Sequence, residues 1–198
     1  MKKNIKTYLL DTNVLMKYPG SIYGFDDNNV VVTATTIEEL DNNKNCPGER
    51  GFQAREALRR IDELRILAKA QKTKLSDGVI INDKKGTFKI ESNHITEEAL
   101  PQGWNLQKAD NRIISCAKNI GAILVSEDRG VCIKADEIGV PVENYRNAEV
   151  IADNDYKGYR EIYLKSEYAN TIAQQGCIPI KSIDGLVKDL IENEYLII

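Results

Sequence analysis

The chain has 198 residues, of which 42% are hydrophobic and 29% charged, with a formal net charge of −3. This is the make-up of an ordinary soluble globular protein, with room for one well-cored domain and a smaller appendage, since a domain takes roughly 100–200 residues. It excludes a membrane span, which needs an apolar run of ~20 residues, and a histone-like coat of positive charge. Cys46, Cys116, Cys132 and Cys177 form no C-x-x-C pair and have only His94 to assist them, which argues against a zinc site, a disulfide framework or a His-based triad. Reduced thiols, and an N-terminus whose apolar stretch stops after three residues, predict a cytoplasmic protein without a signal peptide. Thirty acids and few softer ligands leave hard, oxygen-bound cations as the natural metal hypothesis.

Residues 6–10 read as a first strand, ended abruptly by Asp11, with a short helix over 12–18 that Pro19-Gly20 stops. Asn29 to Thr33 is a β-branched second strand, and Thr35-Thr36 can cap the helix that carries Glu38-Glu39. Asn42 to Gly51 reads as a flexible loop and Phe52 to Ala70 as the best helix, with Ala54, Ala57, Leu58, Ile61, Leu64 and Ala68 on one stripe. Nine Lys/Arg against four Asp/Glu between Asn42 and Lys74 make this stretch a candidate basic patch. Its arginines could equally form a solvated face laced with Glu56, Asp62 and Glu63.

Val79 to Ile90 reads as a hairpin and Ser92 to Gly103 as irregular. A helix over Asn105 to Asn119 is closed by Gly121, a buried strand over Ala122 to Val125 runs into Ser126-Glu127-Asp128, and a helix over Gly130 to Ile138 precedes a last short strand at Val140 to Val142. The β-α alternation implies an α/β domain, a mostly parallel sheet covered by helices, over residues 1–147. Beyond it the texture changes: six of the nine tyrosines lie from Tyr145 onward. Residues 148–198 read as a small α+β appendage, with strands at Glu161 to Leu164 and Cys177 to Ile180, a helix at Ser166 to Gln175, and an apolar strand-like end at Glu194 to Ile198. An end inside such a run suggests that the natural protein continues.

Two strands thus finish on a carboxylate, Asp11 and Asp128, at the edge where open α/β sheets bind ligands. Asp110 falls on one helical stripe with Leu106, Ile113 and Ala117, which places an acid among core-facing residues, although taken alone it is better explained by the favourable dipole near a helix N-terminus; Glu38 or Glu39 supplies a fourth. Brought to one sheet edge, these acids would repel one another and demand a cation, with Mg²⁺ or Mn²⁺ fitting the donor set.

L-L-D-T-N-V-L at Leu9–Leu15, I-E-E-L-D at Ile37–Asp41, A-D-N-R-I-I at Ala109–Ile114 and L-V-S-E-D-R at Leu124–Arg129 together resemble the four motifs of PIN-domain nucleases, in order and interval, over residues 5–145. The resemblance implies a PIN-like three-layer domain that hydrolyses RNA phosphodiesters with one or two Mg²⁺ or Mn²⁺ ions. Carried over position by position, it assigns catalysis and metal binding to Asp11, Glu39, Asp110 and Asp128, and supporting polar roles to Asn13 and Ser126. The E-E-L-D and A-D-N-R-I-I motifs, Y-K-G-Y-R-E-I-Y-L at Tyr156–Leu164 and N-E-Y-L-I-I at Asn193–Ile198 further resemble the N-terminal part of PIN–PhoH proteins. No G-x-x-x-x-G-K-[ST] phosphate loop is present, so a PhoH-type ATPase would lie beyond Ile198.

The expected activity is therefore hydrolysis of single-stranded RNA by metal-activated water, leaving 5′-phosphate products. Lys44, Arg50, Arg55, Arg59 and Arg112 are candidate phosphate contacts. A haloacid-dehalogenase-like phosphatase also starts from an Asp after its first strand, but wants a second Asp two residues on, where this chain has Asn13. The rival from another class is a module that binds RNA or a partner for an attached ATPase without cleaving; a toxin of a toxin–antitoxin pair is disfavoured by the chain's length. RNA preference, endo- versus exonucleolytic cleavage and self-association are not encoded legibly.

Overall fold

The computed structural model describes residues 5–145, the strand residues Tyr159–Glu161 and Tyr195–Ile197, and Tyr168. The chain divides into two compact units, Met1–Val150 and Ile151–Ile198.

The first unit is built on a sheet in the order β3-β4-β2-β1-β5-β6, from β1 (Thr7–Leu10), β2 (Asn29–Thr33), β3 (Val79–Ile80), β4 (Thr87–Glu91), β5 (Ile123–Val125) and β6 (Val142–Glu143). Every pairing is parallel except β3 with β4, the predicted hairpin, where Val79 opposes Phe88. Alternate side chains of the central strands go to opposite faces, as the two-residue repeat requires. Tyr8, Leu10, Val30, Val32 and Val125 enter one buried cluster, which also holds Val14, Leu40, Ala54, Ala57, Ile61 and Leu64 of the helices α1 (Thr12–Lys17), α2 (Ala34–Asn43) and α3 (Gly48–Ala70). Leu9, Val31 and Leu124 enter the other, with Ile113, Ile114, Ala117, Val131 and Ala135 of α4 (Ala109–Ile120) and α5 (Arg129–Glu137). Helix, sheet and helix make the three layers. Both faces of the inner strands being covered explains why they read as continuous apolar runs.

Besides shifts of a strand to Val142–Glu143 from Val140 to Val142 and of another to Tyr159–Glu161 from Glu161 to Leu164, three boundaries that bear on the site differ from the sequence reading. Thr33, not Thr35 or Thr36, caps α2, its hydroxyl accepting from Thr36 N at 3.1 Å, because Thr35 and Thr36 are already inside the helix. The segment over Asn42 to Gly51 is no flexible loop: α2 runs to Asn43 and α3 starts at Gly48, just after Pro47, whose extended backbone suits the residue before a helix. Helix α4 begins at Ala109 rather than Asn105, which leaves Leu106 outside it. Gly121 closes α4 in the left-handed region, at φ 63°, as expected. The irregular stretch before α4 contains one 3₁₀ turn, Glu97–Ala99.

In the second unit β7 (Tyr159–Glu161) pairs in parallel with β8 (Tyr195–Ile197). The strand expected at Cys177 to Ile180, and all of the helix expected at Ser166 to Gln175 except Tyr168, lie outside the described residues. Among the described residues no helix is long and apolar enough to cross a membrane.

Candidate active site

Asp11 stands at the carboxyl end of β1, in the centre of the parallel strands. Its backbone N–H continues the pairing with β5 by donating to Val125 O at 3.0 Å, and its side chain caps α1, Oδ1 accepting from Thr12 N at 2.7 Å. Oδ2 accepts from the Ser126 hydroxyl at 2.7 Å, and Asn13 Nδ2 stands 3.5 Å away. Asp11 is 3% exposed. Burial pushes its carboxyl up from 3.8 to about 6, against the lowering hydrogen bonds from Ser126 and Thr12, while the negative fields of Glu39 and Asp110 raise it further.

Glu39 approaches from α2. Its Oε2 accepts from the Thr12 hydroxyl at 2.5 Å, so Thr12 binds Asp11 through its backbone and Glu39 through its side chain. Glu38 is exposed and turned toward Arg112, 3.8 Å from its guanidinium. Asp110 does not sit among core residues. The later start of α4 puts it in the helix's first turn, where the dipole favours an acid; its side chain is 47% exposed and pairs with Lys134 of α5 at 3.3 Å. Asp128 is exposed and caps α5, Oδ1 accepting from Gly130 N at 2.7 Å and Val131 N at 3.2 Å. Its backbone N–H donates to Ser126 Oγ at 3.1 Å, so the buried Ser126 links Asp128 to Asp11.

The sheet edge thus gathers Asp11 and Glu39 through Thr12, Asp11 and Asp128 through Ser126, and Asp110 within electrostatic range of Asp11. Among the described residues these acids do not close into a ready-made group of three around one ion. The donor set nevertheless fits a hard divalent cation: all are carboxylate oxygens, and the central one holds its proton because of its burial, with a smaller contribution from the like charges of Glu39 and Asp110.

Thr12 and Lys134 were not singled out by sequence. Thr12 lies beside Asp11, but the glutamate it bridges to is 27 residues on, and Lys134 meets Asp110 across 24 residues; no local spacing announces either contact. Of the cations proposed for phosphate, Lys44 pairs with Asp41 at 2.5 Å and Arg55 donates to Lys44 O at 2.6 Å, which holds both at the α2–α3 junction near the exposed Arg50. Arg59 is taken up by Glu56 and Glu63, the laced face foreseen as one alternative. Arg112 ties α4 to α2 by donating to Thr35 Oγ1 and Leu106 O, each at 2.9 Å.

Residues 8–146 match the PIN domain family. The chain is a member of it. It is 36% identical to Protein PhoH2 of Bacillus subtilis over 90% of this chain and 42% of that protein. Proteins of the same name from Thermobispora bispora and Mycolicibacterium smegmatis are 33% and 31% identical, over 88% and 89% of this chain and 39% and 40% of theirs. The chain therefore spans about two-fifths of the length of these curated relatives. PIN domains are typically metal-dependent nucleases, and the buried Asp11 of this one follows the end of β1.

Proposed function

We propose that the PIN domain is a divalent-metal-dependent ribonuclease acting on single-stranded RNA, centred on Asp11. The observation that carries this reading is the Asp11 carboxyl, buried, held at about 6 and flanked by Glu39 and Asp110, because such a group gains most from a cation. Asp11, Glu39, Asp110 and Asp128 would hold Mg²⁺ or Mn²⁺. When bound, the ion supplies charge against the phosphodiester and acidifies water.

The chain's own groups do the rest. Ser126 and Thr12 donate to Asp11 and fix both of its oxygens, so the carboxylate is oriented before substrate arrives. Thr12 also holds Glu39, whose carboxylate would ligate the ion or orient a water at the sheet edge. Asn13 presents its amide beside Asp11 Oδ2. Lys44, Arg50 and Arg55 at the α2–α3 junction position the strand through its phosphates and carry no base information. Arg59 and Arg112 are committed to contacts within the fold.

The E-E-L-D and A-D-N-R-I-I motifs, the stretches at Tyr156–Leu164 and Asn193–Ile198, and the relatives named PhoH2 also support a PhoH-type ATPase following this domain. A reading frame that encodes a G-x-x-x-x-G-K-[ST] loop after Ile198 fits this, and an immediate stop codon removes it. The nuclease reading is tested with end-labelled single-stranded RNA and Mn²⁺. Metal-dependent 5′-phosphate products are expected; RNA retained without products would make the domain a binding module instead.

A further inference from the structure

Next to Asp110 lies a cavity of about 190 Å³, lined by Gly103, Trp104, Asn105, Lys108, Asn111 and Lys134. Asp110 is next to Asn111 in the chain and paired with Lys134 at 3.3 Å. Three independent features of its wall point to one class of ligand. The first is Asn111, 3% exposed. Its amide nitrogen donates to Asn105 O at 2.8 Å, which settles the orientation of the group, and Oδ1 is left buried without a donor among the described residues. A buried acceptor of this kind costs free energy until a donor reaches it.

The second is Trp104, the only tryptophan of the chain, half-buried with part of its ring against the α4–α5 core and part on the cavity. A half-exposed indole at a polar cavity is a stacking surface. The third is the start of α4, a helix of twelve residues whose capping residue, Lys108, makes no side-chain cap hydrogen bond. The first backbone N–H groups of such a helix have no partner within it, and Lys108 and Lys134, the latter's ammonium paired with Asp110, line the same cavity.

A stacking ring, a lone acceptor and a cationic helix start are the complements of a base, a base amino group or ribose hydroxyl, and a phosphate. We infer that this cavity takes the nucleotide adjoining the scissile phosphodiester: its base stacks on Trp104, an amino or hydroxyl group donates to Asn111 Oδ1, and its phosphate lies against Lys108, Lys134 and the start of α4. Only the cleavage of that phosphodiester rests on the nuclease reading; the binding site stands without it. Trp104 and Asn111 are then the residues that select among bases, while the junction cations hold any strand.

The single tryptophan makes the readout local. The Asp11→Asn protein, in chelator so that nothing is cleaved, is titrated with hexaadenylate, hexacytidylate and hexauridylate, and with inorganic pyrophosphate as an anion without bases. The expected result is saturable quenching of Trp104 that differs among the oligonucleotides and is missing with pyrophosphate. Labelled-RNA anisotropy should show Trp104→Leu weakening binding by about ten-fold or more, the scale of one base–aromatic stack, Trp104→Phe retaining most of it, and Asn111→Ala narrowing the differences among bases. Unchanged tryptophan emission while RNA binds, equal quenching by pyrophosphate, or absence of binding overturns the inference. If Trp104→Leu does not fold, the quenching experiment decides alone. Quenching without cleavage by the wild type would remove the nuclease reading and leave the subsite; cleavage without quenching would do the reverse.

Discussion

At the scale of single residues, Asp11 is the proposed centre of the site, and its ionisation has a thermodynamic signature separate from catalysis. The native carboxyl is raised to about 6 from an ordinary 3.8. Between those values the native state holds a proton that the unfolded chain has released. The stabilisation this brings is complete below 3.8 and is lost as pH rises through about 6. Asparagine keeps an oxygen for the α1 cap and never ionises. In chelator, Asp11→Asn should therefore match the wild type in stability near pH 4 and exceed it at pH 8, by on the order of 2–3 kcal/mol at about 1.4 kcal/mol per pKa unit. Thermal unfolding reads this as about 2–4 °C per kcal/mol for a protein of this size. A variant no more stable than wild type at pH 8 would mean that Asp11 is not burdened by its burial. Ser126→Ala removes a donor that lowers the Asp11 pKa. The acid limb of its kcat/KM profile should accordingly move to higher pH, and an unmoved limb would separate Ser126 from the site. Asp11 itself was legible in the sequence because an apolar run that breaks off on an acid marks the carboxyl end of a buried strand, where ligands bind. Lys134 was not legible, since an ion pair across 24 residues between two helices leaves no trace in local spacing.

At the scale of elements, strands β1, β2 and β5 were readable to within a residue, because both of their faces are buried and they carry unbroken apolar runs. Helix starts were less so, for a physical reason: capping is decided by which oxygen reaches which N–H in three dimensions, and neighbouring threonines compete for the role. Thr33 wins at α2, its buried hydroxyl bonded to both Thr36 N and Thr36 Oγ1. Thr33→Ala should cost about 1–2 kcal/mol in urea unfolding. It should also reduce activity, since α2 carries Glu39; a change under about 0.5 kcal/mol would contradict that capping role. The late start of α4 had the largest consequence, taking Asp110 off the core stripe and leaving it the first-turn acid that the helix dipole favours, paired with Lys134. Gly51 is an unforeseen packing point. A Cβ there would stand 1.9 Å from Cys46 O, so the first turns of α3 fit against the end of the α2–α3 junction only without a side chain. Gly51→Ala should displace that junction and lower the melting temperature. Because Lys44 and Arg55 are held there, RNA affinity should fall with it, as anisotropy of labelled RNA would show.

At the scale of the whole molecule, the three-layer order was legible from the β-α alternation, and the family from the four short motifs taken together. The second unit was only partly legible, and two strands of it, Tyr159–Glu161 and Tyr195–Ile197, pair in parallel across a long stretch of chain. The charge distribution fits a division of labour within the first unit: acids at the carboxyl edge of the sheet, cations at the α2–α3 junction and at the Trp104 cavity. A protein of net charge −3 that binds RNA through such patches should lose affinity steeply with salt. The central claim is that these acids make a metal-dependent centre at Asp11. The most direct measurement compares wild type with Asp11→Asn on end-labelled single-stranded RNA, with Mn²⁺ and with excess chelator. A metal centre at Asp11 predicts 5′-phosphate products from the wild type only with metal, and a rate for the variant at least about 100-fold lower, equivalent to about 2.7 kcal/mol of lost transition-state stabilisation. Equal cleavage by both proteins, or cleavage that survives the chelator, would contradict it.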